Sequence, residues 1–185
     1  VPSQSEHALI DAQIPLLHPA NTQEVLDYGI IGWAMSRYSG CWVGMKCITD
    51  NVDSSTSVTI NPKRIEISIP SDFEMPPEGL HIRWPDQAMD AEMRLHKYKI
   101  HAALAFAREN HVNKITINSS NPRFGIISTG KSYLDTLQAL DDLGIDAAEA
   151  SRLGFRILKI GMPWPLDKEI VRKFCEGLEE ELVIE

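Results

Sequence analysis

Apolar residues recur at helical spacing between positions 22 and 38, as Val25, Leu26, Ile30, Trp33, Ala34 and Tyr38. Asn21 or Thr22 is placed to cap the start, Glu24 supplies a carboxylate to the first turn, and Gly40 ends the run. Gly29 and Gly32 interrupt it. Each costs a helix about 1 kcal/mol relative to Ala, so the pair predicts close packing against another backbone. Cys41 to Ile48 reads as a strand, and shorter extended runs follow at Ser57 to Ile60 and Ile65 to Ile69. The texture then changes. Pro62, Pro70, Pro76, Pro77 and Pro85, five of the eleven prolines, mark an extended connector from Asn61 to Asp86. A long helix is predicted from about Asp86 to Asn110. Its narrow apolar stripe (Met93, Ile100, Leu104, Ala107) amid many Lys, Arg and His residues suits a helix that covers a surface or bridges two modules.

The last third is the most regular. A short strand at Ile115 and Ile117 precedes an apolar strand from Phe124 to Ser128 and a helix from Lys131 to Leu143, with Gly144 at its end. An Ala-rich helix from Asp146 to Leu153 leads into a second apolar strand, Phe155 to Ile160. Asp167 can cap a third helix bearing Ile170, Phe174 and Leu178, and a final strand runs from Leu182 to Ile184. Strands alternating with helices predict an α/β fold: a three-layer βαβ unit on a mainly parallel sheet.

Charge narrows the partners. Lys and Arg number 18 against 26 Asp and Glu, a net of −8, which argues against a nucleic-acid backbone and against an anionic membrane surface. No apolar run approaches the ~18–20 residues that span a bilayer. Cys41, Cys47 and Cys175 form no C-x-x-C pair and read as small buried hydrophobes in a reducing cytoplasm, with Cys41 and Cys47 on one strand face. His96 and His101 stand five residues apart, the wrong spacing to share an ion on one helix face. No metal, cofactor-binding or catalytic residue is therefore assigned. Glu179-Glu180-Glu181 reads as a solvated edge, and the tryptophans of Trp84-Pro85 and Trp164-Pro165 as packing groups.

Gly125-Ile-Ile-Ser-Thr-Gly130-Lys131-Ser132 matches the phosphate-loop pattern G-x-x-x-x-G-K-[ST] letter for letter. Such a loop needs an apolar strand that ends before its first glycine. Here Ile126 and Ile127 are themselves strand residues, so Gly125 falls inside the strand and no cradle can form. Gly130-Lys131-Ser132 instead predicts a tight strand-to-helix turn at the carboxyl end of the strand, where α/β folds place ligands. A stand-alone nucleotide-binding module using those three residues remains the alternative reading.

Three segments together resemble one family. They are Tyr38-Ser39-Gly40-Cys41-Trp42-Val43-Gly44-Met45-Lys46, the run from Ile126 to Asp135 with Gln138 to Ile145, and Lys159-Ile160-Gly161-Met162-Pro163-Trp164-Pro165-Leu166. All three are similar to the indolepyruvate ferredoxin oxidoreductases, within the thiamine-diphosphate-dependent 2-oxoacid:ferredoxin oxidoreductases. The resemblance implies residues 1–59 as the rear part of a pyrimidine-binding domain, 60–121 as connector and bridging helix, and 122–185 as a transketolase C-terminal-like domain. It implies a parent enzyme that oxidatively decarboxylates 2-oxoacids to acyl-coenzyme A and passes the electrons to ferredoxin. That parent would use thiamine diphosphate, magnesium and an iron–sulfur cluster, and would form a homo-oligomer. The family's activating glutamate, its magnesium–diphosphate motif and its cluster cysteines have no counterpart in this sequence. The expected role of this stretch is thus scaffold and subunit contact. Ser3-Gln4-Ser5-Glu6-His7 resembles a loop of the pyrimidine domain near the cofactor. A start at Val1 and a stop just after the apolar run Leu182 to Ile184 read as the ends of an excised piece of a longer polypeptide.

Overall fold

The structure, a computed structural model, describes residues 4–61 and 63–185. Ser3 and Pro62, used in the sequence reading, lie outside the described residues. Helix α1 (Glu6–Asp11) leads into a two-residue strand β1 (Leu16–Leu17), helix α2 (Thr22–Ser39), strand β2 (Gly44–Met45) and a single turn α3 (Thr49–Val52). The Asn21 side chain accepts the Glu24 amide, and Gly40 closes α2 at φ +71°, both as the sequence predicts. β1 pairs in parallel with β2, and Leu16 also bridges Trp164 in the far half of the chain. The predicted strand from Cys41 to Ile48 shrinks to these two residues. Cys41 is buried but Cys47 is exposed, because among the described residues β2 has a single two-residue neighbour to hold a ladder.

The runs at 57–60 and 65–69 form no strand. They follow the surface as extended chain, and Arg64 clamps Asp27 of α2 with two nitrogens, each at 3.1 Å. Trp84 is 96% exposed, so its predicted packing role fails. The long helix is observed as α4 (Ala88–Arg94), a π-helical turn (Leu95–Lys99) and α5 (Ile100–Glu109). Its buried side keeps Leu104 and Ala107 of the predicted stripe and otherwise differs from it. Met93 is exposed, whereas Ala102, Ala103, Ala105, Phe106 and Ala107 are buried. Small residues let α5 approach α2 closely, and Phe106 joins Met35, Met162, Leu17, Tyr28, Ile31 and Val112 in one core.

The second half carries a four-stranded sheet, in the order β3 (Lys114–Ile117), β5 (Phe155–Ile160), β4 (Phe124–Thr129), β6 (Glu180–Ile184). β4 runs parallel to both β5 and β6, and β3 is an antiparallel edge. Alternation along the strands divides two cores. Ile126 and Ile157 meet Tyr133, Leu137 and Leu140 of α6 (Gly130–Asp142) on one face. Ile127, Leu158 and Ile160 meet Ile170, Phe174 and Leu178 of α8 (Lys168–Cys175) and its following turn on the other. Asp146 and Asp167 cap α7 (Ala147–Leu153) and α8 by accepting backbone amides. The α/β class and the three-layer βαβ arrangement are those the sequence predicts.

Candidate functional site: a filled crevice at the strand ends

β4 and β5 are adjacent and parallel, yet the chain leaves them for opposite faces: β4 leads to α6 and β5 to α8. In open α/β sheets that divergence opens the crevice where ligands bind. Here the protein fills it with its own residues. The segment after β1 crosses the strand ends, and the His18 amide donates to the carbonyl of Gly161 at 2.8 Å. The His18 ring lies over Gly130, whose φ is +53°, and a Cβ there would stand 2.3 Å from the ring. At the end of β5 the Tyr28 hydroxyl occupies the corresponding space beside Gly161. These two glycines let the halves of the chain approach. We expect Gly130→Ala to lower stability by about 2 kcal/mol in urea denaturation, through backbone strain and the displaced imidazole.

Hydrogen bonding sets the histidine tautomer. Thr129 Oγ1 donates to the Ile160 carbonyl at 2.7 Å, so its lone pair accepts from His18 Nδ1 at 3.2 Å. Nε2 is then a bare acceptor, buried and without a hydrogen-bond partner among the described residues. Burial, reinforced by the Lys46 ammonium, pulls the imidazole pKa down to about 4.

Beside it, Lys159 of β5 is 2% exposed and forms an ion pair with Glu24 in the first turn of α2. The second Glu24 oxygen accepts the Ala20 amide at 2.8 Å. The Lys159 ammonium lies 5.0 Å from the Tyr133 ring centre and 5.8 Å from that of Tyr28. Burial pulls the lysine pKa down and Glu24 opposes it. The same burial, with Glu24 and Asp27 nearby, pushes the Tyr28 phenol above its ordinary value. The cluster therefore holds one compensated ion pair and one neutral imidazole. Its chemistry is that of a joint between two halves of the chain.

The sequence-derived candidates separate. Gly125 lies within β4, opposite Arg156 and Glu181, and a Cβ on it would meet Leu178 and Phe174; it packs the sheet against α8. Lys131 bonds Asp135 one turn on at 2.6 Å, and Ser132 gives its carbonyl to Thr136. Glu6 pairs with Lys46, which holds its carboxyl below the usual range, and His7 is exposed on α1. His18 and Glu24 as a joint had no sequence signal beyond the first-turn position of Glu24. Lys159 stood out only as a charge inside the apolar run Phe155 to Ile160. Next to the filled crevice, a cavity of about 160 Å³ remains at the carboxyl ends of β4 and β6, lined by Thr129, Pro163, Leu166 and Val183. It is smaller than the ~300 Å³ at which ligand pockets begin.

Residues 114–185, the whole four-stranded sheet with its helices, match the family model described as an indolepyruvate oxidoreductase domain. Over 94% of its length the chain is 24% identical to indolepyruvate oxidoreductase subunit IorA of Methanothermobacter thermautotrophicus. It is 28% identical over the same share to that subunit of Pyrococcus abyssi. Along nearly its whole length the chain is thus similar to indolepyruvate oxidoreductase subunits. It spans about a quarter of the curated relatives it matches, 26% of each of these two. Its fold also matches the 2-oxoglutarate:ferredoxin oxidoreductase of Magnetococcus marinus, solved with 2-oxoglutarate, coenzyme A and succinyl-CoA bound. That match has a TM-score of 0.55 at 11% identity and covers 91% of this chain and 34% of that one. The resemblance stated from three sequence segments is thereby supported along the chain.

A magnesium–diphosphate cofactor needs converging oxygen ligands. Among the described residues, no three His, Cys, Asp or Glu side chains converge in that way. The described residues do not fit such a group.

Proposed function

We propose that this chain is the framework part of an indolepyruvate-type 2-oxoacid:ferredoxin oxidoreductase. The whole enzyme would oxidatively decarboxylate a 2-oxoacid, form an acyl-coenzyme A and pass two electrons to ferredoxin. Thiamine diphosphate, magnesium and iron–sulfur clusters would be held elsewhere in that enzyme, in a cytoplasmic homo-oligomer. Residues 1–59 would serve as the rear of a pyrimidine-binding domain, 60–121 as connector and bridging helix, and 122–185 as a transketolase C-terminal-like domain. One observation carries the reading. The crevice that an α/β sheet offers to a ligand is taken up by His18, Tyr28 and Glu24 of the preceding half, so this sheet joins domains. No helix among the described residues is long and apolar enough to cross a membrane.

Thermal unfolding with thiamine diphosphate and Mg²⁺ tests it. The expected midpoint is unchanged at millimolar ligand, because a cofactor that binds only the folded state raises stability by RT ln(1 + [L]/Kd). A clear rise would place cofactor machinery within these residues and overturn the framework role.

A further inference from the structure

Between the end of α5 and the start of α8 lies a cavity of about 230 Å³ whose lining offers more hydrogen-bond donors than the protein satisfies. Asn113 fixes its inner wall. The residue is 7% exposed, and its Oδ1 accepts the amides of Gly161 and Met162, each at 2.9 Å. Two N–H groups aimed at one oxygen decide how the amide is turned, because the flipped form would set its NH₂ against both. Nδ2 is therefore the donor left over, buried and without a hydrogen-bond partner among the described residues. A buried donor in that state marks a missing acceptor. Two cations line the same space. Lys173 is exposed and forms no ion pair among the described residues. Arg108 spends Nε and Nη2 on Asp72 at 3.3 and 2.9 Å and Nη1 on Asp167 at 3.5 Å, which leaves one N–H on each terminal nitrogen. His111, at φ +50° where α5 ends, adds an exposed ring.

These donors call for a ligand rich in acceptors, and the rest of the lining narrows it. Asp167 and Glu169 also line the cavity, so they cancel the charges of Arg108 and Lys173 while the imidazole is neutral. Such a site tolerates one added negative charge better than two, which favours a monoanion over a phosphate dianion. Ala107 and Ile170 give the wall an apolar stretch that an inorganic ion would leave uncovered. Size sets the other limit. At ~30 Å³ per water the space equals about eight waters, enough for a short carbon chain and too little for a nucleotide or a coenzyme.

We propose that this cavity binds a small aliphatic monocarboxylate. One carboxylate oxygen accepts from Asn113 Nδ2, the other from Lys173 and the unspent Arg108 N–H groups, and the carbon tail lies against Ala107 and Ile170. The site goes beyond the framework role and is independent of it, since it involves neither the joint at His18 nor any cofactor of the whole enzyme.

Propionate is the probe, titrated into the 185-residue chain while nitrogen and proton shifts of the Asn113 side-chain amide are followed. The shifts should saturate with a dissociation constant in the millimolar range, as expected for a ligand of about five heavy atoms. Propionamide has the same shape without the charge and should bind at least ~10-fold more weakly. Lys173→Met, at an exposed position, should weaken propionate about 10-fold and leave the backbone amide spectrum elsewhere unchanged. Asn113→Asp keeps Oδ1 for Gly161 and Met162 and sets an anionic oxygen where Nδ2 stood, so propionate binding should be lost. If that buried charge prevents folding, Lys173→Met and propionamide decide the matter without it. Shifts that stay linear to ~100 mM propionate overturn the proposal, and so does equal binding of propionamide or an affinity unchanged in Lys173→Met. Inorganic phosphate that saturates the Asn113 amide at lower concentration than propionate overturns it too, by making the site one for a phosphate.

Discussion

Glu24→Gln is expected to destabilise the chain by about 3–5 kcal/mol, more than any other single surface-to-core polar change, because it strands the Lys159 ammonium in the joint. Lys159 is 2% exposed and lies by the faces of Tyr28 and Tyr133; besides Glu24, Asp27 favours its charge and Lys114 opposes it. A cation–π contact offsets at most about 2 kcal/mol of the lost pairing. Gln keeps the shape and can still accept the Ala20 amide, so the loss reports charge and not packing. Two controls follow. Adding Lys159→Met removes the stranded charge, and the double variant should recover at least about 2 kcal/mol of the deficit. In Glu24→Gln alone, the folded state gives up the lysine proton more readily than the unfolded chain. Between the depressed folded value and the ordinary lysine range the unfolded state binds more protons, so stability rises with pH there. Urea denaturation of the three proteins (wild type, Glu24→Gln and the double variant) from neutral to mildly alkaline pH checks all of this. A deficit that ignores pH and is not relieved by Lys159→Met would show that the pair is packing only.

This pair also marks how far the sequence could be read. Helix and strand identities in the last third follow from local signals, periodicity with Asp caps and Gly ends, and the observed elements sit within a residue or two of them, except that α8 stops at Cys175 and leaves Leu178 in the turn beyond it. Which side of an element is buried is not a local property. On α2 the periodicity read from sequence follows Leu26, Ile30 and Trp33, which stay exposed, and passes over Ile31 and Met35, which are the residues that join α5 in the core. The extended runs at 57–60 and 65–69 had the alternation of strands but no neighbouring strand to bond. The joint was legible in part: Glu24 read as a first-turn carboxylate, and nothing in sequence separation ties it to Lys159, 135 residues away. His18 carried no signal, since a lone histidine after two leucines announces neither burial nor partner. What the residues did announce was the turn at Gly130. Its missing Cβ proves to be space for that histidine, not for a phosphate.

His18 should make the fold sensitive to mild acid. Its imidazole has a folded pKa of about 4 against an ordinary value of 6.5. The groups around it are Lys46 and Lys159, which disfavour the cation, and Glu6 and Glu24, which favour it; desolvation outweighs them all. With the folded pKa below the unfolded one, the unfolded chain binds more protons in the interval between them. Stability tied to His18 is therefore fully present above about pH 6.5, declines as pH falls, and is gone below about pH 4. At 1.36 kcal/mol per pKa unit the interval is worth about 3 kcal/mol. His18→Gln keeps a donor for Thr129 and removes the titrating group. The difference in stability between wild type and His18→Gln should then shrink or invert by about that amount between pH 7 and pH 4. Taking the difference cancels the carboxylates, Glu6 among them, that protonate in both proteins. Nitrogen chemical shifts of the ring give an independent reading: a neutral imidazole protonated at Nδ1, persisting well below pH 6. A His18 that titrates near its ordinary value would mean that water reaches Nε2. The joint between the two halves would then be looser than the contacts at Gly130 and Gly161 require.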